Sequence, residues 1–421
     1  MGIISYLKER GLIEEESSPK LSEFLKTPRS VYIGIDPTAA SLHLGNLLGL
    51  IVLKMFQNFG HRPVIVIGGT TAMIGDPAGK SLERPLLSDD EVKANIVRIE
   101  KTIRSCLNFE EKATMPLIVN NSSWYNQMNV VTFLRDIGKQ FRLGPMLGKE
   151  SVRTRVNSQE GMSFTEFSYQ LLQGYDFYHL FKTHNVEIQI GGSDQYGNIT
   201  AGIEYTRKRS GGSLFGCVFP LLTRSDGKKF GKSEEGAIWL DKDYLSPFQF
   251  YQHILKFPDA DIISLLKKLT FISLEHIAEL EKKYTQGQLK PFDLQKILAE
   301  SLTEYVHGKE GLLGAKAATE AMAIGTLEIN AEGLKASLAS LPTVLLEKKE
   351  VIGILYLDLL CKSGLLSSKG EAKKLMQNNG AYLNRVRVEN IALIIQESDL
   401  IEGELLLLSS GKKKSLVVQV K

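Results

Sequence analysis

Apolar and polar positions follow two patterns along the first 240 residues. Short unbroken apolar runs, of which RPVIVIGG at 62–69 is the clearest, are separated by stretches with helical periodicity. Unbroken runs of this length are typical of strands buried on both faces of a parallel sheet. After a polar amphipathic helix and a linker in the first 30 residues, the pattern predicts strands at 31–36, 62–69, 115–121, 185–192 and 217–223, and helices at 43–59, 89–107, 128–142, 162–182 and 194–210. Strands that alternate with helices indicate an α/β domain with crossover helices.

The pattern changes twice in the rest of the chain. Residues 246–325 carry helical runs without strands, such as DLQKILAESLTEYV. The pattern weakens around 326–345, and a short helix followed by strand-like runs begins at about 351. We therefore predict an α/β domain with a parallel sheet over 1–240, a small all-α domain over 241–330, a linker over 331–350 and an α+β domain over 351–421.

Composition and charge narrow the class of protein. The chain has 421 residues, of which 43% are hydrophobic, and a formal net charge of +3, so a nucleic-acid partner would have to be bound by local basic patches. The three cysteines, Cys106, Cys217 and Cys361, are far apart and form no CxxC motif, which fits a reducing compartment and predicts a cytoplasmic protein. No secretory signal or membrane span is expected.

Two segments have the chemistry of a nucleotide site. SLHLGN at 41–46 opens a helix after the first strand and places His43 and Asn46 on one face, with Gly45 allowing close approach of a ring or sugar. Taken alone, this segment is better interpreted as a capped helix with a solvated histidine. TRSDGKKFGKS at 223–233 is a Lys-rich loop, and residues 201–233 hold seven Lys or Arg against two acids. A solvated basic loop is the plain alternative, but lysines at this spacing suit a departing pyrophosphate.

A third group of residues suggests a polar pocket. In MSFTEFSYQLLQGYD, Tyr169, Gln173 and Asp176 recur at helical spacing and share one face. Asp194 and Gln195 follow the predicted strand at 185–192. Because ligands bind at the carboxyl ends of strands in open parallel sheets, these side chains are expected near one another.

These segments together resemble the class I aminoacyl-tRNA synthetases, since HLGN is similar to the HIGH signature and KFGKS to the KMSKS signature. Within that class, YxGxDPTAxSLHxGN, GDPxGK, SFTEFSYQLLQxYD and QIGGSDQxGNITAG resemble the bacterial-type tyrosyl enzymes. The resemblance implies a Rossmann-like catalytic domain. The family pattern differs here at Asn46, where a histidine is usual, and at Phe230 and Gly231, while both lysines of the second signature are kept.

The resemblance also implies roles for individual residues. Tyr32 and Asp176 would contact the hydroxyl of bound tyrosine, while Tyr169, Gln173 and Asp76 would hold its ammonium group, with Gln195 also in the tyrosine site. The residues implied to bind ATP are Asp36, His43, Gly45, Asn46, Gly192, Asp194, Lys229, Lys232 and Ser233, and those implied to stabilise phosphate charge are Thr38, His43, Lys80, Arg84, Lys229 and Lys232. Mg²⁺ would accompany ATP, with no protein metal site.

The tail resembles an S4-type RNA-binding module, because six Lys or Arg against one acid lie within 362–387. The residues implied to contact tRNA are Lys369, Lys373, Lys374, Arg385 and Arg387, although a solvated helix face would have the same composition.

The expected partners are therefore L-tyrosine, ATP and tRNA(Tyr), together with a second copy of the chain that binds around 124–160. Two other functions remain open: an RNA-binding protein that keeps the fold without the activity, and a tryptophanyl enzyme.

Overall fold

The computed structural model describes residues 1–78, 87–225, 227, 230, 232–233, 236–322, 334, 341–411 and 414–421, apart from the side chains at 150–151, 232–233, 291 and 321–322. The chain divides into two compact units. The first comprises 1–241 and 257–294, and the second comprises 242–256 and 295–421.

The first unit is an α/β domain. Its strands are β1 (Glu15–Glu16), β2 (Ser30–Ile35), β3 (Arg62–Ile67), β4 (Leu117–Asn120), β5 (Val186–Gly192), β6 (Phe215–Phe219), β7 (Lys232–Ser233) and β8 (Gly236–Ala237). Its helices are α1 (Ile3–Glu9), α2 (Leu21–Phe24), α3 (Leu44–Asn58), α4 (Asp89–Cys106), α5 (Ser122–Tyr125), α6 (Val130–Thr132), α7 (Leu143–Leu147), α8 (Glu150–Val156), α9 (Phe164–His184), α10 (Tyr196–Ser210), α12 (Ile262–Leu269) and α13 (Leu274–Thr285).

The order of strands in the main sheet creates a crevice. Six strands pair in the order β1-β6-β5-β2-β3-β4, and every pairing is parallel except that of β1 with β6. The chain runs outward from β2 through β3 to β4, then returns to place β5 on the other side of β2, where Tyr32 pairs with Gln189. Such a reversal leaves a crevice at the carboxyl ends of the two central strands, which is where ligands bind in open parallel sheets.

The second unit combines helices with a small sheet. It holds α11 (Pro247–Leu255), most of α14 (Pro291–Met322, interrupted at Gly308), α15 (Tyr356–Lys362) and α16 (Lys369–Gln377). Five strands, β9 (Thr343–Leu346), β10 (Ala381–Leu383), β11 (Val386–Arg387), β12 (Leu405–Ser410) and β13 (Lys414–Val420), pair in the order β11-β10-β12-β13-β9. Leu405, Leu407 and Val417 of this sheet share an apolar cluster with Phe248 and Ala318, so the tail and the helices of this unit have a common core.

Most of the predicted elements are confirmed, and three are corrected. The helix predicted at 128–142 is broken into α6, a π turn at Phe133–Ile137 and a 3-10 turn at Gly138–Gln140, with much of its apolar surface exposed. The helix expected in the first 30 residues is limited to α1 and α2, with β1 between them. The weak pattern at 326–345 contains the start of β9, which becomes a strand through parallel pairing with β13. The three-domain division itself stays a prediction.

Candidate functional site

A cavity of about 430 Å³ lies at the carboxyl ends of β2 and β5. It is lined by thirteen of the side chains and glycines that the sequence singled out, contributed by segments far apart in the chain: Tyr32, Asp36, Thr38, His43, Gly45, Asn46, Asp76, Tyr169, Gln173, Asp176, Gly192, Asp194 and Gln195. Lys80, Arg84 and Lys229 lie outside the described residues. Lys232 and Ser233 form β7, but their side chains are not among those described.

Helix α9 carries three polar side chains into the cavity. It begins after Ser163, whose hydroxyl accepts the Glu166 N–H, and ends at Asn185, which takes the left-handed conformation that stops helices. Tyr169, Gln173 and Asp176 lie along one face of this helix and all line the cavity. The expectation that they share a face is confirmed.

Asp176 is a buried carboxylate held by two donors. Its side-chain oxygens accept the Trp124 Nε1–H at 2.9 Å and the Asn121 Nδ2–H at 3.2 Å, and the residue is only 4% exposed. Burial raises its pKa to about 7, an effect that the hydrogen bonds from Trp124 and Asn121 partly oppose. Asp176 therefore changes charge near neutral pH and can accept a further hydrogen bond from the cavity when it is ionised.

Tyr32 faces the same cavity with an unused hydroxyl. Its ring is buried in edge contact with Phe177, and within the described chain the Tyr32 Oη has no hydrogen-bond partner. Burial, and then the charge of Asp176, raise the pKa of this phenol well above its usual value, so it stays protonated. A buried unpaired hydroxyl is unfavourable unless a ligand supplies its partner. Tyr32 and Asp176 thus offer a donor and an acceptor to one hydroxylated ligand.

A second polar cluster lies around Asp36 and Asp76. The Tyr169 hydroxyl donates to Asp36 Oδ2 at 2.8 Å and the Thr71 hydroxyl donates to Asp36 Oδ1 at 2.7 Å. The Gln195 amide donates to Asp76 Oδ2 at 2.6 Å, and the Gln173 amide donates to Gln195 Oε1 at 3.3 Å. Two carboxylates within a network of amides and hydroxyls give this part of the cavity a negative charge, which suits a cationic group.

The first turn of α3 forms the other end of the cavity. His43 Nδ1 accepts the Gly45 N–H and Asn46 Oδ1 accepts the His43 N–H, each at 3.0 Å, in a reciprocal cap. Since Nδ1 is an acceptor, the proton of the neutral imidazole lies on Nε2. A side chain at position 45 would crowd this cap, because a Cβ there would lie 2.9 Å from His43 Cε1. Across the cavity, a Cβ at Gly192 would lie 2.7 Å from Asp194 Oδ1.

Four lining or supporting residues were not predicted from the sequence. Trp124 and Asn121, which hold Asp176, come from the NNSSW segment after β4, to which no sequence motif assigns a role. Thr71 supports Asp36 from the turn after β3. Gln189 lines the cavity and has no partner for its Oε1 among the described residues. Its place beside Tyr32 follows from the register of β2 and β5, and no local motif indicates it.

Comparisons with known proteins identify the family. A family model for class I tRNA synthetases of tryptophan and tyrosine (W and Y) matches residues 25–323, and a model of the SYY-like C-terminal domain of tyrosine–tRNA ligases matches residues 333–418. A tyrosine–tRNA ligase of Protochlamydia amoebophila is 45% identical over 99% of each chain. The chain belongs to the class I tyrosyl-tRNA synthetases. A chloroplastic/mitochondrial tyrosine–tRNA ligase of Arabidopsis thaliana is 44% identical over 99% of this chain and 83% of that protein.

Solved structures of tyrosyl- and tryptophanyl-tRNA synthetases share the fold. A C-terminally truncated mitochondrial tyrosyl-tRNA synthetase of Aspergillus nidulans matches with a TM-score of 0.68 and 30% identity over 76% of this chain and 93% of that chain. A tryptophanyl-tRNA synthetase of Plasmodium falciparum matches with a TM-score of 0.55 and 18% identity, over 80% of this chain and 88% of that chain. The second likeness concerns the fold alone. The predicted family and α/β fold class are therefore confirmed.

The basic residues expected in the tail lie in the second unit. Lys369, Lys373, Lys374 and Arg387 are exposed on α16 and β11. Lys369 forms an ion pair with Asp358 at 2.7 Å, and the Arg385 guanidinium donates to the backbone oxygen of Glu320. Lys373 and Lys374 are therefore better placed to meet a phosphate than Lys369 or Arg385, whose charged groups already have partners.

Among the residues that the structure describes, no helix is both long and apolar enough to cross a bilayer. Over the same residues, no group of three or more His, Cys, Asp or Glu side chains is arranged to hold a metal ion.

Proposed function

We propose that this chain is a tyrosine–tRNA ligase, which activates L-tyrosine with ATP and then transfers the tyrosyl group to the 3′ end of tRNA(Tyr). The observation that carries the proposal is that Asp176 and Tyr32 line one cavity, which extends to the capped first turn of α3, and that Tyr32 Oη has no hydrogen-bond partner among the described residues. Relatives named as tyrosine–tRNA ligases, matched over nearly the whole chain, support it.

Asp176 and Tyr32 account for selection of a phenol. The substrate hydroxyl donates to ionised Asp176 and accepts from Tyr32 Oη, so both buried groups gain a partner. Phenylalanine would leave the carboxylate and the hydroxyl buried without one, which is unfavourable. This combination of one donor and one acceptor also disfavours an indole. An indole N–H can donate to Asp176, but it has no hydroxyl oxygen to accept from Tyr32.

The Asp36–Asp76 cluster suits the substrate ammonium. Tyr169, Gln173 and Asp76 would hold it, with Gln195 fixed by its hydrogen bond to Asp76. The substrate carboxylate then lies toward α3 and attacks the α-phosphate of ATP, which forms the tyrosyl-adenylate and breaks the bond to pyrophosphate. Because the carboxylate is itself a nucleophile, the protein needs only to position the reactants and stabilise the developing charge.

The residues proposed to stabilise that charge come from several segments of the chain. His43 would donate from Nε2, the atom that its Nδ1 cap leaves protonated, and Thr38 lines the same part of the cavity. Lys80, Arg84, Lys229 and Lys232 would supply positive charge from the chain segments before α4 and around β7. Gly45, Asn46, Gly192 and Asp194 would hold the adenosine, with Asp36 and Ser233 nearby. Mg²⁺ would come bound to ATP, where it neutralises phosphate charge.

The proposal extends to RNA and to cellular location. In the second step a ribose hydroxyl of tRNA(Tyr) takes the tyrosyl group, and the exposed Lys373 and Lys374 on α16 would contact its phosphates. Such contacts would make affinity depend strongly on salt. Cys106, Cys217 and Cys361, as thiols, are compatible with a reducing cytoplasm.

We also propose a homodimer formed through an exposed apolar face. Within 130–164, seven large apolar side chains are 45–74% exposed: Val130, Val131, Leu134, Leu143, Leu147, Val156 and Phe164. Clustered apolar exposure of this kind marks an interface, and a second copy of the chain would cover it. Val131→Glu should convert the dimer to a monomer in analytical ultracentrifugation. Val97→Glu, at an equally exposed site on α4, should leave the dimer intact, and dissociation by both variants or by neither would refute the assignment.

Tyrosine-dependent exchange of pyrophosphate into ATP tests the central proposal. We expect exchange with tyrosine and far less with phenylalanine or tryptophan. Exchange with tryptophan alone would favour a tryptophanyl enzyme. No exchange with any amino acid, together with intact RNA binding, would favour a protein that keeps the fold without the activity.

A further inference from the structure

Two residues that follow β8 in the chain hold the Lys-rich segment 223–233, each through a contact with one described residue of that segment. The Ser225 N–H donates to Asp261 Oδ1 at 3.0 Å, just after the start of the segment. Farther along, the Phe230 ring packs on Phe257 with a centroid separation of 5.0 Å, and the Phe230 N–H donates to the Leu222 oxygen at 2.9 Å. Phe230 also lines the cavity. Ser225 and Phe230 are therefore both held by contacts, and Lys228 and Lys229 lie between them in the sequence.

These two contacts rest on a rigid support. Asp261 directly precedes α12, whose apolar face is buried and which packs against α3. The other end of α12 is held by Arg10, a 1% exposed side chain that donates to the backbone oxygens of Lys267 and Thr270, each at 2.7 Å. Helix α12 thus connects α3, the helix that His43 caps, to the segment that contains the lysines.

The side chains that make both contacts are buried. Phe230 and Phe257 are each 7% exposed, and Asp261 is 8% exposed. Within the described chain, Asp261 Oδ2 has no hydrogen-bond partner. A buried carboxylate with one oxygen unused is unfavourable for stability alone. Its position is better explained by the segment that it holds.

We propose that Asp261 and Phe257 are positioning residues for adenylate formation, which hold Ser225 and Phe230 in place so that the lysines of the segment meet the triphosphate. This inference rests on the proposed function. Lys229 is bonded directly to Phe230, so a displacement of Phe230 is passed to the backbone from which Lys229 extends. Misplacing a charge-stabilising group by about 1 Å can reduce a rate by about 100-fold. The tyrosine site, built from α9 and β2, does not depend on either contact.

The test uses the full-length protein and four variants. Asp261→Ala removes the acceptor for Ser225, Asp261→Asn keeps an oxygen in its place, and Phe257→Leu reduces the ring contact. Ser273→Ala is the matched control, because it removes an equivalent acceptor, for the His276 N–H at 3.1 Å, from the start of the next helix. The measurements are the single-turnover rate of tyrosyl-adenylate formation and the tyrosine Kd.

We expect Asp261→Ala and Phe257→Leu to slow adenylate formation at least about tenfold, with the tyrosine Kd changed less than about twofold. Asp261→Asn should recover most of the rate, and Ser273→Ala should match the parent protein. Unchanged rates in both Asp261→Ala and Phe257→Leu, or an equal loss in Ser273→Ala, would overturn the proposal. Should Asp261→Ala not fold, Phe257→Leu decides alone. Absence of pyrophosphate exchange in the parent protein would instead refute the proposed function.

Discussion

Tyrosine affinity should depend on pH through a single carboxyl group. Burial raises the pKa of Asp176 from 3.8 to about 7, and its two oxygens already accept hydrogen bonds from Trp124 and Asn121. A substrate phenol that donates to Asp176 therefore binds the ionised form. As pH falls through 7, Asp176 takes up a proton, the acceptor is lost and affinity should fall.

The magnitude follows from that pKa. If only the ionised form of Asp176 binds tyrosine, the apparent Kd equals the Kd of that form multiplied by the factor 1 + 10^(pKa − pH). Between pH 7.5 and pH 5.5 this factor rises about 25-fold, which corresponds to about 1.9 kcal/mol. The phenol of free tyrosine, with a pKa of about 10, does not titrate in this range.

Equilibrium binding of tyrosine, measured by calorimetry at pH steps from 5.5 to 8, checks this reasoning. Asp176→Asn is the matched variant, since its amide oxygen can still accept from Trp124 but its charge does not change with pH. It should bind tyrosine more weakly at pH 7.5 and show a nearly flat profile. A flat profile for the parent protein, or tighter binding at pH 5.5, would show that the phenol does not depend on ionised Asp176.

Three further predictions concern other parts of the molecule. Tyr32→Phe removes a buried hydroxyl without a described partner, so it should weaken tyrosine binding about 2- to 10-fold without lowering the thermal midpoint; an unchanged Kd would contradict its role. Lys232→Ala should slow adenylate formation in single-turnover assays while the tyrosine Kd stays near normal, and a large loss of tyrosine affinity would contradict a phosphate role. Lys373→Ala with Lys374→Ala should weaken tRNA charging and reduce its salt dependence but spare pyrophosphate exchange; equal charging would refute the RNA contact.

The predictions that held were those in which local pattern and tertiary environment agree. The run RPVIVIGG is apolar at every position that a doubly covered strand buries, and β3 is buried along nearly its whole length. The spacing of Tyr169, Gln173 and Asp176 is a property of one helix, so it could be predicted without knowing what packs against α9. In both cases the sequence alone contains the decisive information.

The predictions that failed depended on partners distant in the chain. Residues 343–346 become a strand because β13 pairs with them, and the pattern TVLL on its own is weak. The periodicity at 128–142 indicated one helix, but Val130, Val131 and Leu134 stay exposed, and the segment forms shorter turns. Trp124 and Asn121 could not be assigned to Asp176, because that contact exists only once β4 and α9 are placed side by side.

The difference from the family signature at Asn46 is explained by the cap on α3. Asn46 Oδ1 already accepts the His43 N–H, so the part of this side chain left for a nucleotide is its Nδ2, which donates. A neutral histidine at the same place would also offer an N–H donor. The exchange of histidine for asparagine therefore keeps the polarity that a ribose or phosphate oxygen requires, while the amide oxygen stabilises the helix turn that orients His43. One residue thus serves both the fold and the proposed nucleotide site.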